Sequence, residues 1–348
     1  MEIFVTGATG VLGRRVLPDL VAAGHAVTAV ARSHPEAVLA AGATPVQVDL
    51  FDPATVRDVV DGHEAVVDLA TSIPPTNRMI QRSAWRMNDR LRTEASANLA
   101  DAVLAVGTDR YVRESYFGVF ADGGDGWVDD TSAVDPVWPA LTALDGEASA
   151  RRVTAAGHVG VALRFAQFVG PDAGHTRDQV TTARRWGIAP FFGDPDGYLP
   201  TIHLDDAAAA VVAALDAPAG TWIVADDRPL RRREHAEALS AAVGRRLRLP
   251  PRWISRVGPL RMLDRSVRLD AGAFRDATGW APTFLDAASA WHQVVAAIDS
   301  APDLDDATSV DGRSSDEDGL AARRAGPGGV AKTADTAAPP TPRRGGVR

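Results

Sequence analysis

The densest chemistry in the chain stands near its start. Gly7, Gly10 and Gly13 fall within Thr6-Gly7-Ala8-Thr9-Gly10-Val11-Leu12-Gly13, after the apolar run Ile3–Val5 and before a stretch of helical periodicity. Glycines there let the backbone turn tightly and approach a pyrophosphate, and the N–H groups that open a helix offer donors and partial positive charge to the anion. The spacing is G-x-x-G-x-x-G, a weak signal alone, strengthened by the strand before it and the helix after it. Gly7, Thr9, Gly10, Val11, Leu12 and Gly13 are the expected contacts. At the end of the second β-rich run, Val27–Ser33, no Asp or Glu occurs before Glu36. A free ribose 2′-OH is held by a carboxylate at that point. Arg32 and Ser33 instead supply a guanidinium and a hydroxyl suited to a 2′-phosphate. NADP(H) is the expected cofactor, with NAD as the alternative.

Other residue types narrow the chemistry by elimination. The chain has 348 residues, no cysteine, and 37 basic residues of which only Lys332 is lysine. Thiolate nucleophiles, disulfides, iron–sulfur clusters and cysteine zinc sites are excluded, as is any mechanism that needs a lysine in the folded body. A formal charge of −8 offers no basic field for nucleic acid or anionic lipid. His203, Asp205 and Asp206 carry metal-capable atoms, yet the two aspartates read as caps of the alanine-rich helix that follows, and no metal is expected. Asp145 and Glu147, two apart on a helix, point in different directions and read as solvated. Arg231, Arg232 and Arg233 read as a solvated helix start. The partner expected is a small molecule. No apolar run reaches 18 residues and no charged leader precedes the first strand, so neither a membrane span nor export is expected, and the compartment expected is the cytoplasm. Nothing in the sequence sets the oligomeric state.

The elements that must position these residues alternate. Strands are expected at Ile3–Thr6, Ala26–Ala31, Val46–Leu50, Ala65–Ala70, Tyr111–Glu114 and Gly160–Phe165, with helices over Val11–Ala23, Val56–Val60, Arg90–Val106 and Glu147–Ala156 between them. That order implies an α/β fold, a Rossmann-like doubly wound parallel sheet with right-handed crossovers. Residues 1–170 are read as its nucleotide-binding core. Residues 171–299, with helices at Asp205–Leu215, Arg231–Val243 and Ala287–Ile298 and a strand at Thr221–Ala225, are read as a smaller C-terminal substrate lobe interleaved with the last core elements. From about Ser300 the chain turns acidic, then rich in Gly, Ala, Pro and Arg, and 300–348 is read as a disordered tail.

Four ordered segments carry a resemblance: the glycine loop; Asp49-Leu50 and Asp68-Leu69-Ala70-Thr71-Ser72; Ile202-His203-Leu204-Asp205-Asp206-Ala207-Ala208; and Gly279-Trp280-Ala281-Pro282. Across residues 1–299 the chain resembles the short-chain dehydrogenase/reductase superfamily, in its extended and atypical branch related to NAD-dependent epimerase/dehydratases. The resemblance implies that Asp49 and Leu50 meet the adenine, that Ala70, Thr71 and Ser72 line the adenosine ribose, and that Asn88 is a polar contact at the cofactor and substrate edge. Relatives use a Ser or Thr, a Tyr, and a Lys four residues after it. Here the residues four after Tyr111, Tyr116 and Tyr198 are Ser115, Phe120 and Ile202, so the pair is absent. Tyr116 falls in the family's serine position, and Pro139 and Ala143 fall where Tyr and Lys would stand. The expected function is an NADP(H)-dependent oxidoreductase acting on a small organic substrate without that pair, with Tyr116 or Ser115 as proton donor. The alternative is a non-catalytic NADP(H)-binding redox sensor or scaffold. Sugar-nucleotide epimerisation or dehydration ranks lower, since both begin by oxidising an unactivated alcohol.

Overall fold

Seven strands pair side by side: those at Glu2–Thr6, Ala26–Val30, Ala65–Asp68 and Val159–Phe165 are mostly apolar, as segments covered on both faces should be, whereas the one at Arg110–Tyr116 carries Arg113, Glu114 and Ser115. A computed structural model describes residues 1–256, 260 and 263–300; the expected tail beyond Ser300 lies outside them. The strands are β1 (Glu2–Thr6), β2 (Ala26–Val30), β3 (Thr44–Val46), β4 (Ala65–Asp68), β5 (Arg110–Tyr116), β6 (Trp127–Val128), β7 (Val159–Phe165), β8 (Gln167–Val169), β9 (Tyr198–Leu199), β10 (Thr201–His203), β11 (Gly220–Val224), β12 (Leu230–Arg231) and β13 (Arg268–Leu269). The helices are α1 (Gly13–Ala22), α2 (Pro35–Ala40), α3 (Pro53–Val60), α4 (Arg86–Arg90), α5 (Ser96–Val106), α6 (Ala143–Ala155), α7 (Gly174–Trp186), α8 (Leu204–Ala213), α9 (Arg232–Val243), α10 (Gly272–Thr278) and α11 (Ala287–Ser300). The main sheet runs β11-β7-β5-β4-β1-β2-β3 and every pairing in it is parallel. This is the doubly wound, Rossmann-like architecture expected.

One face of the sheet packs Ile3, Val5, Val67, Val112 and Leu163 against Val16, Leu20 and Val211 of α1 and α8. The other packs Phe4, Val66 and Tyr111 against Val56, Leu99, Val103 and Val153 of α3, α5 and α6. A third cluster joins α7, α9 and α11 around Phe191, Leu239 and Trp291. The register aligns Thr6 with Asp68 and Asp68 with Arg113, so the C-terminal strand ends form one edge along which ligands bind in such sheets.

Three departures from the sequence reading have physical causes. The third strand stops at Val46 rather than Leu50, because Asp49 turns the chain: its Oδ1 accepts the Phe51 N–H at 3.0 Å and its carbonyl accepts the Asp52 N–H at 3.0 Å. The helix expected from Arg90 starts at Arg86 and runs to Val106 through a π-helical turn, Leu91–Ala95. Helix α7 was not expected, because two of its four inward residues, Thr176 and Gln179 beside Val180 and Ala183, are polar and hide the period.

Candidate active site

The first turn leaves its donors open. Gly7 has φ +68°, and a Cβ on it would stand 2.4 Å from the Leu69 carbonyl oxygen; a Cβ on Gly13 would stand 2.2 Å from the Gly7 carbonyl oxygen. Both glycines therefore seat the turn against β4 and α1. Gly10 is different: it is exposed, and a Cβ there would meet only the Gly7 oxygen, at 3.0 Å. No side chain caps α1, and the Val11 and Leu12 N–H groups have no acceptor among the described residues. Thr9 turns its carbonyl to Arg14 Nε at 2.8 Å, while the Leu12 side chain enters the core. An open backbone concavity at a helix start fits a pyrophosphate.

Around that turn, Arg32 and Ser33 are exposed just past β2. Among the described residues no carboxylate lies within ion-pair distance of Arg32, and Glu36 is engaged by His34 at 2.9 Å. The guanidinium is free to meet a phosphate. Asp49 is exposed, whereas Leu50 is buried and its carbonyl accepts from Asn98 Nδ2 at 3.0 Å. Past β4, Ala70 is buried and Thr71 exposed. The Ser72 N–H donates to Asn88 Oδ1 at 3.0 Å. Asn88 is wholly buried, and its Nδ2 has no partner among the described residues.

At the β5–α6 end the polar side chains are closed on one another. Ser115 is wholly buried and its hydroxyl donates to Glu147 Oε1 at 2.7 Å. Arg164 grips the same carboxylate with both arms, Nε to Oε1 at 2.8 Å and Nη2 to Oε2 at 2.9 Å. Glu147 is therefore not solvated as the sequence reading had it: it shares an inward stripe of α6 with Ala143, Gly146, Ala150 and Val153. The signal that could have found it is Arg164, a charge inside the apolar run Val159–Phe165, and directly across from Ser115 in the sheet register. The same bond corrects the expectation for Ser115, whose proton is committed to Glu147.

Tyr116 is half-buried, stacks edge-on against Phe117 at 4.6 Å, and makes no hydrogen bond among the described residues. Burial pushes its hydroxyl up to about 12, partly opposed by the Arg92 charge. Arg92 is itself buried, donates to the Pro139 carbonyl at 3.1 Å and lies 3.9 Å from Glu114. Burial raises the Glu114 carboxyl, against Arg92 and Arg113. Deeper in, Asp68 takes Thr6 Oγ1 at 2.6 Å, Tyr111 Oη at 3.0 Å and Arg113 Nη1 at 2.8 Å.

A protein family described as NAD(P)H-binding matches residues 7–218. The chain belongs to that family. It is 31% identical over 309 residues to the 3-diazoavenalumate denitrifying reductase of a Streptomyces species, covering 81% of this chain and 96% of that one. It is 27% identical over 275 residues to the 2-alkyl-3-oxoalkanoate reductase of Shewanella oneidensis, covering 71% and 66%. Among solved structures, the UDP-glucose 4-epimerase of Thermus thermophilus in complex with NAD superposes with a TM-score of 0.71 at 22% identity, covering 87% of this chain and all of that one. The dTDP-glucose 4,6-dehydratase of Streptomyces venezuelae, with NAD bound, gives 0.70 at 18%, covering 85% and 96%. The NAD(P)-binding, Rossmann-like architecture that the resemblance implied is thus borne out. The protein is an NAD(P)-binding oxidoreductase, and no described helix is long and apolar enough to cross a membrane.

In this NAD(P)H-binding protein the two late motifs meet. Asp206 does not cap α8: its carboxylate accepts the Thr283 and Phe284 N–H groups at 2.8 and 2.9 Å, and its carbonyl accepts Trp280 Nε1 at 3.2 Å. The cap is His203, whose Nδ1 accepts the Asp205 N–H at 3.2 Å, and whose ring stacks on Phe284 at 4.0 Å. Asp205 pairs with Arg15. Nor are the three arginines a solvated start of α9: Arg232 is buried and donates to the Leu263 and Arg265 carbonyls at 2.9 and 2.7 Å. A charge between half-buried Arg231 and exposed Arg233 gives no sequence sign of facing inward.

Proposed function

We propose that the protein is an NADPH-dependent reductase that delivers hydride to a small, strongly electrophilic organic acceptor, and that Tyr116 stands at the reacting end. The observation that carries this reading is the state of Tyr116. Oxidising an alcohol needs a tyrosine that ionises near neutral pH, and relatives use a lysine for that purpose; here no lysine stands among the described residues and the hydroxyl is held up at about 12. Such a group can donate a hydrogen bond or a proton, but it is a poor base. The arrangement favours reduction over oxidation and disfavours epimerase or dehydratase chemistry. Bound NADPH supplies the hydride.

Two acceptor classes suit this site, both drawn from the names of relatives. A diazonium takes the hydride and loses N2, giving the arene, and needs no proton from the protein. A 3-oxo acid takes the hydride at carbon and a proton at oxygen, which Tyr116 can donate. NADPH oxidation measured with an aryldiazonium salt, a 2-alkyl-3-oxo acid and UDP-glucose tests the reading: turnover of either of the first two and not of the third is expected. Tyr116→Phe should lower turnover of the oxo acid by about 10²-fold and leave the diazonium reaction nearly unchanged. Failure of all acceptors to oxidise NADPH would favour the redox-sensing alternative.

A further inference from the structure

We infer that Arg92 is the fixed positive charge of the reacting end, a positioning residue that stabilises the negative charge left on Tyr116 when that residue gives up its proton. The inference rests on the reductase reading for its purpose. Arg92 is 2% exposed and stands on the π-helical turn Leu91–Ala95, a local widening of the kind common at functional sites. A buried guanidinium is costly unless its donors are met. Among the described residues the other buried arginines meet theirs better: Arg113 lies 2.8 Å from Asp68, Arg164 grips Glu147 with both arms, and Arg232 donates to the carbonyls of Tyr198, Leu263 and Arg265. Arg92 donates to the Pro139 carbonyl alone, at 3.1 Å. Its Nη2 is 3.9 Å from Glu114 Oε1, beyond hydrogen-bond reach, and its Nε has no partner among the described residues. Burial also raises the Glu114 carboxyl, which makes it a weak counter-charge.

The surroundings aim this unspent charge at the phenol. Glu114 and Tyr116 are two residues apart on β5 and share one face of the strand. A Cβ on Gly118 would stand 2.2 Å from Tyr116 Cε1, so the ring lies against that backbone. The Gly118 carbonyl accepts the Val137 N–H at 3.2 Å, and two residues further on Pro139 holds Arg92. The stretch Val137–Pro139 therefore fixes both the ring and the guanidinium. The other charges around Arg92 are Arg113, Glu114 and Asp89, and the charge that acts on Tyr116 is Arg92. When a 3-oxo acid is reduced, its carbonyl carbon takes a hydride, the C=O electron pair moves to oxygen, and the Tyr116 proton joins it there. The phenolate left on Tyr116 takes its proton back from water. A guanidinium that never deprotonates favours that phenolate and needs no rearrangement to do so.

The test is a ¹⁹F NMR titration of the protein carrying 3-fluorotyrosine, whose ring fluorine brings the ionisation to a lower pH. The chain has three tyrosines, and the Tyr116 signal is the one lost in Tyr116→Phe. Arg92→Gln, which keeps a donor for the Pro139 carbonyl, should raise the Tyr116 midpoint by about one pH unit, a tenfold fall in its ionisation constant, and Arg92→Lys should restore most of it. Arg92→Met, which fills the space without charge, is the second neutral variant should the first fail to fold by circular dichroism. In the neutral variant kcat for the 3-oxo acid should fall about tenfold with KM nearly unchanged, and recover in Arg92→Lys. A midpoint that stays put in the neutral variant, one raised as far in Arg92→Lys, or an unmoved kcat overturns the inference. A shifted midpoint in a protein that turns over no acceptor would bear out the role of Arg92 and count against the reductase reading alone.

Discussion

At the β1–α1 turn the groups offered to a ligand are backbone N–H donors, those of Val11 and Leu12 beside exposed Gly10. At the β5–α6 end, along the same sheet edge, Ser115, Glu147 and Arg164 spend their hydrogen-bonding capacity on each other. A backbone site can be open and rigid at once, because its geometry is fixed by glycines and strand pairing rather than by side-chain partners. A side-chain site must keep a group unspent, and here the internal cluster absorbs three of the four polar residues that the fold brings there, Ser115, Glu147 and Arg164. Tyr116 is what remains. The difference shows why cofactor binding and the usual catalytic triad can part company within one fold.

The sharpest way to break this comparison is to fill the open end. Gly10→Val should abolish NADPH binding, because the side chain would project from an exposed backbone where only the Gly7 oxygen now lies near. Circular dichroism should be unchanged, in contrast to Gly7→Val, where φ +68° and the Leu69 carbonyl forbid a side chain and the fold itself should suffer. Calorimetry that found retained affinity in Gly10→Val would remove the turn as the phosphate site.

At the closed end the expected effect is on stability. Glu147→Ala leaves the Arg164 charge buried and unpaired, and truncating one partner of such a pair costs about 3–5 kcal/mol. Glu147→Gln, which keeps the volume and an acceptor for Ser115, should cost less. Denaturant titration distinguishes these from a solvated Glu147, for which both changes would lie within about 0.5 kcal/mol.

His235, on α9, probes the packing beneath the α7–α9–α11 cluster. It is buried, its Nε2 donates to the Leu199 carbonyl at 2.9 Å, and burial holds its pKa down at about 4. With an unfolded value near 6.5 the two states do not differ in protonation above that pH. As pH falls from about 6.5 to 4 the unfolded chain takes up the proton first, so stability is lost across that window, by about 3 kcal/mol in all. His235→Gln should flatten this part of the stability profile while NADPH affinity stays put; an unchanged profile would show that another group titrates.

What could be read from the sequence follows the same division. The glycine turn was legible because few residues tolerate the space beside Leu69 and the left-handed φ of Gly7, and the sheet was legible because most of its strands, such as Glu2–Thr6 and Ala65–Asp68, are apolar runs between helical stretches. Glu147 was misread because helix position alone does not say which face is inward; its partner arrives from β7, seventeen residues later. The bond of Asn88 to the Ser72 N–H, and the role of Asp206 as the anchor of the Thr283–Phe284 backbone, depend on contacts across 16 and 77 or more residues, which no local pattern encodes.

The smallest expected effect sharpens the comparison at the open end, where one side chain adds to the backbone donors. Arg32 stands exposed after β2 with no carboxylate within ion-pair distance among the described residues, and the one acid that follows closely, Glu36, is turned to His34. A 2′-phosphate there would gain a charge-assisted pair of about 1.5–3 kcal/mol, a preference for NADPH over NADH of roughly ten- to a hundredfold. Arg32→Ala should erase most of that preference by weakening NADPH alone, because NADH offers the guanidinium no phosphate at that position. Pyrophosphate binding, carried by the Val11 and Leu12 N–H groups, should persist in the variant, so NADH affinity is the internal control. Equal affinities for the two cofactors in the unaltered protein would defeat the assignment of Arg32, and a loss of both in the variant would mean that Arg32 shapes the turn itself.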